Sequence, residues 1–250
     1  MIRIFGLSDF PVVRGPFDLD QEIIACLKRA PLQLGCGDIL VIAHKIISKA
    51  EGRVVDLRQV EVSSQAQELA ARTGKDPHLV EVILRESREL IRVDQGHLIT
   101  EQRLGLICAN AGVDRSNSGE PDRVVLLPSD PDETARRIRA ALAGEFGQEM
   151  AVLIADTQGR PFRVGAIGTC IGIAGMAPLC HLGGRDDLFG YTLQTTVEAV
   201  ADELCATATL IMGQSDEGAP LALIQGYAYQ PQPGSSGELL FKPEQDLFRA

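Results

Sequence analysis

The residues Asp156-Thr157-Gln158-Gly159-Arg160, with Arg163 just beyond, follow directly on the apolar run Ala151-Val152-Leu153-Ile154-Ala155. Five apolar residues in a row read as a strand buried on both faces, and the polar, Gly- and Pro-punctuated stretch after them reads as its end. A carboxylate there suits a metal ion, and Arg160 and Arg163 suit phosphate or carboxylate, in the crevice that an open α/β sheet offers an anionic ligand. The plainer alternative is a corner in which Asp156 caps a turn and the arginines are solvated. These residues alone leave both open.

Other polar stretches stand beside predicted strand or helix ends. His44-Lys45-Ile46-Ile47-Ser48-Lys49 follows the apolar strand of residues 39–43. Lys45 and Lys49, like charges one helical turn apart, repel unless an anion lies between them. Asp114 closes the run Asn110-Ala111-Gly112-Val113-Asp114, with Ser116 and Asn117 behind it, and Gln214, Ser215, Asp216 and Glu217 lie between Gly213 and Gly218 ahead of a last strand at residues 221–224. With Arg14 from the loop 8–16, the set divides in two. Arg14, Lys45, Lys49, Arg160 and Arg163 seek anions; Asp114, Asp156, Thr157 and Gln214 offer oxygen to a cation. Together they describe a polyphosphate bridged by a metal. Magnesium keeps several waters and needs only one or two carboxylates besides phosphate oxygens, so Asp114 and Asp156 on separate strand ends suffice. Neither a Walker A loop nor a G-x-G-x-x-G fingerprint occurs, and the sequence offers no defensible Ser-His-Asp or Cys-His arrangement.

The elements that must hold these groups are legible from punctuation. Asp18 with Gln21, Asp76-Pro77 and Asp130-Pro131 start helices, and Gly74 ends one over residues 64–73. Residues 89–93, 98–101 and 104–109 form a meander, a long helix spans about 191–212, and the Gly-rich strand 165–175 fits close approach by another backbone or by a ligand, with a simple packing role for its glycines equally open. Residues 230–237, rich in Pro, Gly and Ser, predict a mobile tail.

Across 250 residues, 24 Lys and Arg stand against 34 Asp and Glu, a net charge of −10 with no basic block. Nucleic acid, whose binding needs clustered cations, is therefore not an expected partner. The six cysteines are scattered without a C-x-x-C pair and read as free thiols of a reducing compartment. The first seven residues lack a signal-peptide pattern, and no apolar run approaches the ~20 residues that cross a bilayer. A cytoplasmic protein without membrane contact is the expectation.

The blocks Ile47-Ser48-Lys49-Ala50-Glu51-Gly52-Arg53, Asn110 to Asp114 with Ser116-Asn117, Asp156 to Arg160, and Gly184-Arg185-Asp186-Asp187-Leu188-Phe189-Gly190 resemble, in that order, the signature blocks of the coenzyme F420-0:L-glutamate ligase (γ-glutamyl ligase) family. The likeness runs from the first strand to about Gly226. It implies a mixed α/β (α+β), two-lobed fold over residues 1–228 with a tail at 229–250, in a homodimer. It further implies a GTP-dependent amide ligation of L-glutamate to the carboxylate of coenzyme F420-0 through an acyl phosphate, then γ-linked addition of further glutamate. Carried onto matching positions, Asp114, Asp156 and Arg160 would form the reaction centre. Asp114 and Asp156 would hold the first divalent ion (Mg²⁺ or Mn²⁺, with K⁺ in many members), and Thr157 and Gln214 the second. Pro11, Val12, Val13, Arg14, His44, Lys45, Lys49 and Asn117, with Met212, Gly213, Gln214, Ser215, Asp216, Glu217, Gly218 and Ala219, would surround GTP. Where family members commonly carry small hydroxyl residues, this chain has His44 and Lys45. Two other readings share the same residues: a metal-dependent phosphohydrolase or ligase on another acidic metabolite, and a GTP-binding protein without turnover. The neutral amide of Gln214, contributing oxygen but no charge, is what admits the last.

Overall fold

A mixed five-stranded sheet organises the molecule, in the order Arg3–Leu7, Leu221–Gln225, Ile39–Ala43, Ala151–Arg160, Arg163–Ala174. The computed structural model describes residues 1–94 and 96–246. Of the four pairings in this sheet only Ile39–Ala43 with Ala151–Arg160 is parallel. These two strands are apolar over their paired residues because both faces are covered. Leu40, Ile42, Val152 and Ile154 pack with Ile23 and Leu27 of helix Leu19–Arg29 and with Ile138 of helix Pro131–Phe146. Ile39, Val41, Leu153 and Ala155 instead join Ala201, Cys205 and Ala208 of helix Val200–Met212. The two-residue side-chain period thus divides each strand between two cores.

A third core gathers residues 55–126. Helices Ser64–Thr73 and Pro77–Glu86 bury Leu69, Val80 and Ile83 with Leu98 of the meander Ser87–Asp94, His97–Gln102, Ile107–Ala109. The predicted helix starts hold: Asp18, Asp76 and Asp130 accept from the backbone N–H of Gln21, His78 and Glu133 at 3.1, 2.9 and 2.9 Å. Of the readings open for the Gly-rich strand, close approach by another backbone is present at Gly172, where a Cβ would lie 2.7 Å from the carbonyl carbon of Pro131.

Three expectations change. The strand expected to stop at Ala155 runs on to Arg160, turns at Pro161-Phe162 and returns as Arg163–Ala174. Polarity signals where a strand leaves the covered part of the sheet, whereas an antiparallel ladder satisfies the backbone whatever the side chains are. Arg160 is consequently about 13 Å along the strand from Asp156, four residues at about 3.3 Å each. The helix expected from residue 191 begins at Val200. Thr195, Thr196 and Val197 are β-branched and poor helix formers, and Val197–Glu198 pairs with Cys180–His181 instead. The third meander strand is confined to Ile107–Ala109, because residues 102–106 turn, with Gly105 N–H on Gln102 O at 2.7 Å.

In the tail, Ser235 Oγ donates to Asp132 at 2.8 Å and Ser236 N–H to the same carboxylate at 3.0 Å. The end of the expected tail, residues 247–250, lies outside the described residues. The six cysteines are unpaired thiols. No described helix is long and apolar enough to cross a membrane.

Candidate active site

Parallel pairing sets Ala43 opposite Ala155, so the next residues, His44 and Asp156, follow side by side at the same end of the strand pair. His44 Nε2 lies 3.2 Å from Asp156 Oδ1, and Nδ1 lies 3.3 Å from Ser48 Oγ. Asp156 also accepts from Thr157 N–H at 2.7 Å and Gln158 Nε2 at 3.0 Å. Burial pushes its carboxyl up, but the charge and hydrogen bond of His44, with the other donors, more than offset that and hold it below the usual carboxylate value.

Asp114 reaches the same cavity from beside the third core. Asn110 and Ala111 adopt left-handed φ values of 55° and 54°, a conformation that turns the chain sharply and is unfavourable for a residue with a Cβ. Asp114 then exchanges both backbone hydrogen bonds with Val125, at 3.0 and 2.8 Å, which fixes it. Its carboxylate accepts from Lys45 Nζ at 2.8 Å and from Ser116 N–H and Oγ at 2.7 and 2.9 Å. Lys45 also bonds Ser116 Oγ. Burial pushes the Asp114 carboxyl up, yet Lys45 and Ser116 leave it below its ordinary value.

One helical turn on, Lys49 Nζ donates to Val13 O at 3.1 Å. Burial, then the charges of Lys45 and Arg14, push its ammonium below the ordinary lysine value, and an anion between these cations would relieve that repulsion. Helix Val200–Met212 ends in Gly213, whose φ of 74° and ψ of −175° suit only glycine. A Cβ there would also strike Glu217. Beyond it, Ser215 N–H donates to Glu217 Oε2 at 2.8 Å, and Asn117 Nδ2 ties the two loops by donating to Ser215 O at 3.2 Å.

These groups line one cavity of about 470 Å³. Of the residues predicted from sequence, Pro11, Val12, Val13, His44, Lys45, Lys49, Asp114, Asn117, Asp156 and Thr157 are there, with every residue of the loop 212–219. Arg14 is exposed beside it and acts on Lys49 through its charge. Arg163 is exposed on the return strand, and Arg160 lines a second cavity. The cavity also includes Phe10, Ser116 and Thr209, which were not among the predicted site residues. Asp-x-Ser is a turn signal that would have found Ser116, whereas Thr209 carries no local signal because it sits mid-helix. Among the described residues no three His, Cys, Asp or Glu side chains gather as an all-protein ion cage would. Two carboxylates with hydroxyl and amide oxygens on one cavity do fit an ion whose remaining ligands are phosphate and water.

The sequence pattern described as F420-0:Gamma-glutamyl ligase matches residues 9–226. The chain belongs to the F420-0:gamma-glutamyl ligase family. It is 46% identical over 250 residues to the coenzyme F420:L-glutamate ligase of Methanothermobacter thermautotrophicus, covering 99% of each chain. It is 45% identical over 253 residues to that of Methanopyrus kandleri, covering 97% of this chain and all of the other. Against that of Methanocaldococcus jannaschii it is 42% identical over 250 residues, covering 99% and 97%. The family match takes in the residues around the cavity from Phe10 to Pro220, and membership makes the chain an enzyme of the ligase class.

Proposed function

We propose that the chain joins L-glutamate to the carboxylate of coenzyme F420-0 at the expense of GTP, with GTP held in the 470 Å³ cavity. The observation that carries this reading is that Lys45, Lys49, Asp114 and Asp156, from three distant parts of the sequence, face one space closed by the loop 212–219. Lys45 and Lys49 offset triphosphate charge, residues 11–13 and the loop 212–219 enclose the nucleotide, and Asn117 holds that loop through Ser215. Asp114 and Asp156 would hold the first divalent ion and Thr157 and Gln214 the second. Bound there, Mg²⁺ or Mn²⁺, with K⁺ alongside, would stabilise the charge that builds on the transferring phosphoryl group.

In the proposed sequence an oxygen of the acceptor carboxylate attacks the γ-phosphorus of GTP, and GDP leaves. The amine of glutamate then attacks the acyl carbon, forming the amide and releasing phosphate, and a repeat at the γ-carboxylate lengthens the product. No protein nucleophile is required: positioning and electrostatics supply the rate. Two copies of the chain are part of the same reading. Phe162 on the hairpin turn and Leu188 and Phe189 in the loop before the helix are 90%, 98% and 96% exposed, apolar side chains that a partner subunit would cover.

The test is turnover by purified protein with GTP, a divalent ion, L-glutamate and coenzyme F420-0. GDP is expected only when both other substrates are present, with product mass rising by whole glutamate residues. GTP consumption indifferent to glutamate would favour the phosphohydrolase, and GTP binding without turnover the non-catalytic reading.

A further inference from the structure

We infer that the second cavity is the binding site for the amino-acid substrate, L-glutamate on the reading proposed above, and that Arg160 and Asp202 hold its α-carboxylate and its ammonium. This cavity, of about 460 Å³, is lined by Arg160 and Thr169 from the central hairpin and by Asp202, Glu203 and Thr207 from helix Val200–Met212. Two of its polar atoms, Arg160 Nε and Thr169 Oγ1, are buried without a hydrogen-bond partner. Such groups are costly to leave unmet and point to something that fills the space. Asp202 uses one oxygen to accept from Cys170 N–H at 2.8 Å. Its other oxygen is available to a cation, and Glu203 stands exposed at the rim.

Charge selects the ligand. A guanidinium beside two carboxylates suits a zwitterion, whereas a ligand with only negative groups, such as a nucleoside triphosphate or a polyanionic acceptor, would meet Asp202 and Glu203 with like charge. Of the three substrates, the amino acid alone carries an ammonium. Position agrees with this. Thr169 is the cross-strand partner of Asp156, and the neighbouring Gly168 that of Thr157, so lining residues of the two cavities sit opposite each other on one strand pair, where paired Cα atoms are about 5 Å apart. An amine held here adjoins the place where the proposed phosphorylated carboxylate forms.

Steady-state ligation at varied L-glutamate tests the site. Arg160→Gln, and separately Asp202→Asn, which keeps the acceptor for Cys170 N–H, are each expected to raise the KM for L-glutamate about tenfold or more while leaving the KM for GTP unchanged. Glutarate, which lacks the amine, is expected to compete poorly. Unchanged KM for L-glutamate in both folded variants overturns the assignment. If the wild-type enzyme makes no product, calorimetric titration with L-glutamate separates the two ideas. Binding by wild type and not by Arg160→Gln keeps the site while the ligase reading falls; no binding by wild type overturns the site.

Discussion

His44 and Asp156 meet, Nε2 to Oδ1 at 3.2 Å, because each is the first residue after one of a pair of alanines that face each other in the sole parallel pairing of the central sheet. Both side chains are almost wholly buried, at 5% and 11% exposure. The contact places a carboxylate just past the last residue pair of the parallel ladder, in a strand that itself continues to Arg160. Asp156→Asn keeps the size and one acceptor oxygen but removes the charge and the second acceptor. It is expected to lower kcat for ligation by about a hundredfold or more, with an unchanged circular dichroism spectrum. Near-normal turnover in the folded variant would remove Asp156 from the reaction centre.

If GTP is held as proposed, Lys49 is expected to make its binding sensitive to alkaline pH. Burial, then Lys45 and Arg14, hold its ammonium below the ordinary lysine value. A triphosphate binds the protonated form, so the KM for GTP is expected to rise as pH climbs through that depressed value, short of the usual lysine range near about 10.4. Lys49→Arg, charged throughout, should flatten this rise. Lys49→Ala should raise the KM about tenfold at neutral pH. Initial rates at varied GTP between about pH 7 and pH 10 decide it, and equal dependence in all three proteins would return Lys49 to a structural role.

Gly172 lets helix Pro131–Phe146 start against the sheet. A Cβ would come 2.7 Å from the carbonyl carbon, the oxygen and the Cβ of Pro131, and backbone cannot swing away as a side-chain tip would. Gly172→Ala is expected to destabilise the fold by about 1–3 kcal/mol, read as a lower urea midpoint at constant m-value. A midpoint equal to wild type would show that the helix shifts freely.

Phe162 tests self-association. An aspartate at the hairpin turn would put charge into any interface formed there. Phe162→Asp is expected to sediment as a monomer where wild type sediments as a dimer, with an unchanged thermal midpoint of the isolated subunit. A wild type that is already monomeric at micromolar concentration removes the dimer from the proposal.

Much of the architecture was open to reading because its signals are local. An apolar run marks a covered strand, Asp before Pro marks a helix start, and Gly marks its end, so residues 39–43, 64–73 and the three capped helix starts were found at their places. The boundaries that failed, at Asp156, at residue 191 and at residue 104, failed where polarity or amphipathicity was asked to stand in for hydrogen bonding, which depends on a partner elsewhere in the chain. The candidate site divides in the same way. Residue types alone marked Lys45, Lys49, Asp114, Asp156 and the loop 212–219 as groups able to meet a polyphosphate and its cations, because charge and donor chemistry belong to each side chain. Only the folded chain decided which of them share a cavity: the parallel register brought His44 to Asp156, and the left-handed turn at Asn110 and Ala111 preceded Asp114 at Lys45. It also carried Arg160 away, since a strand that continues for four residues moves a side chain farther than any rotamer can recover.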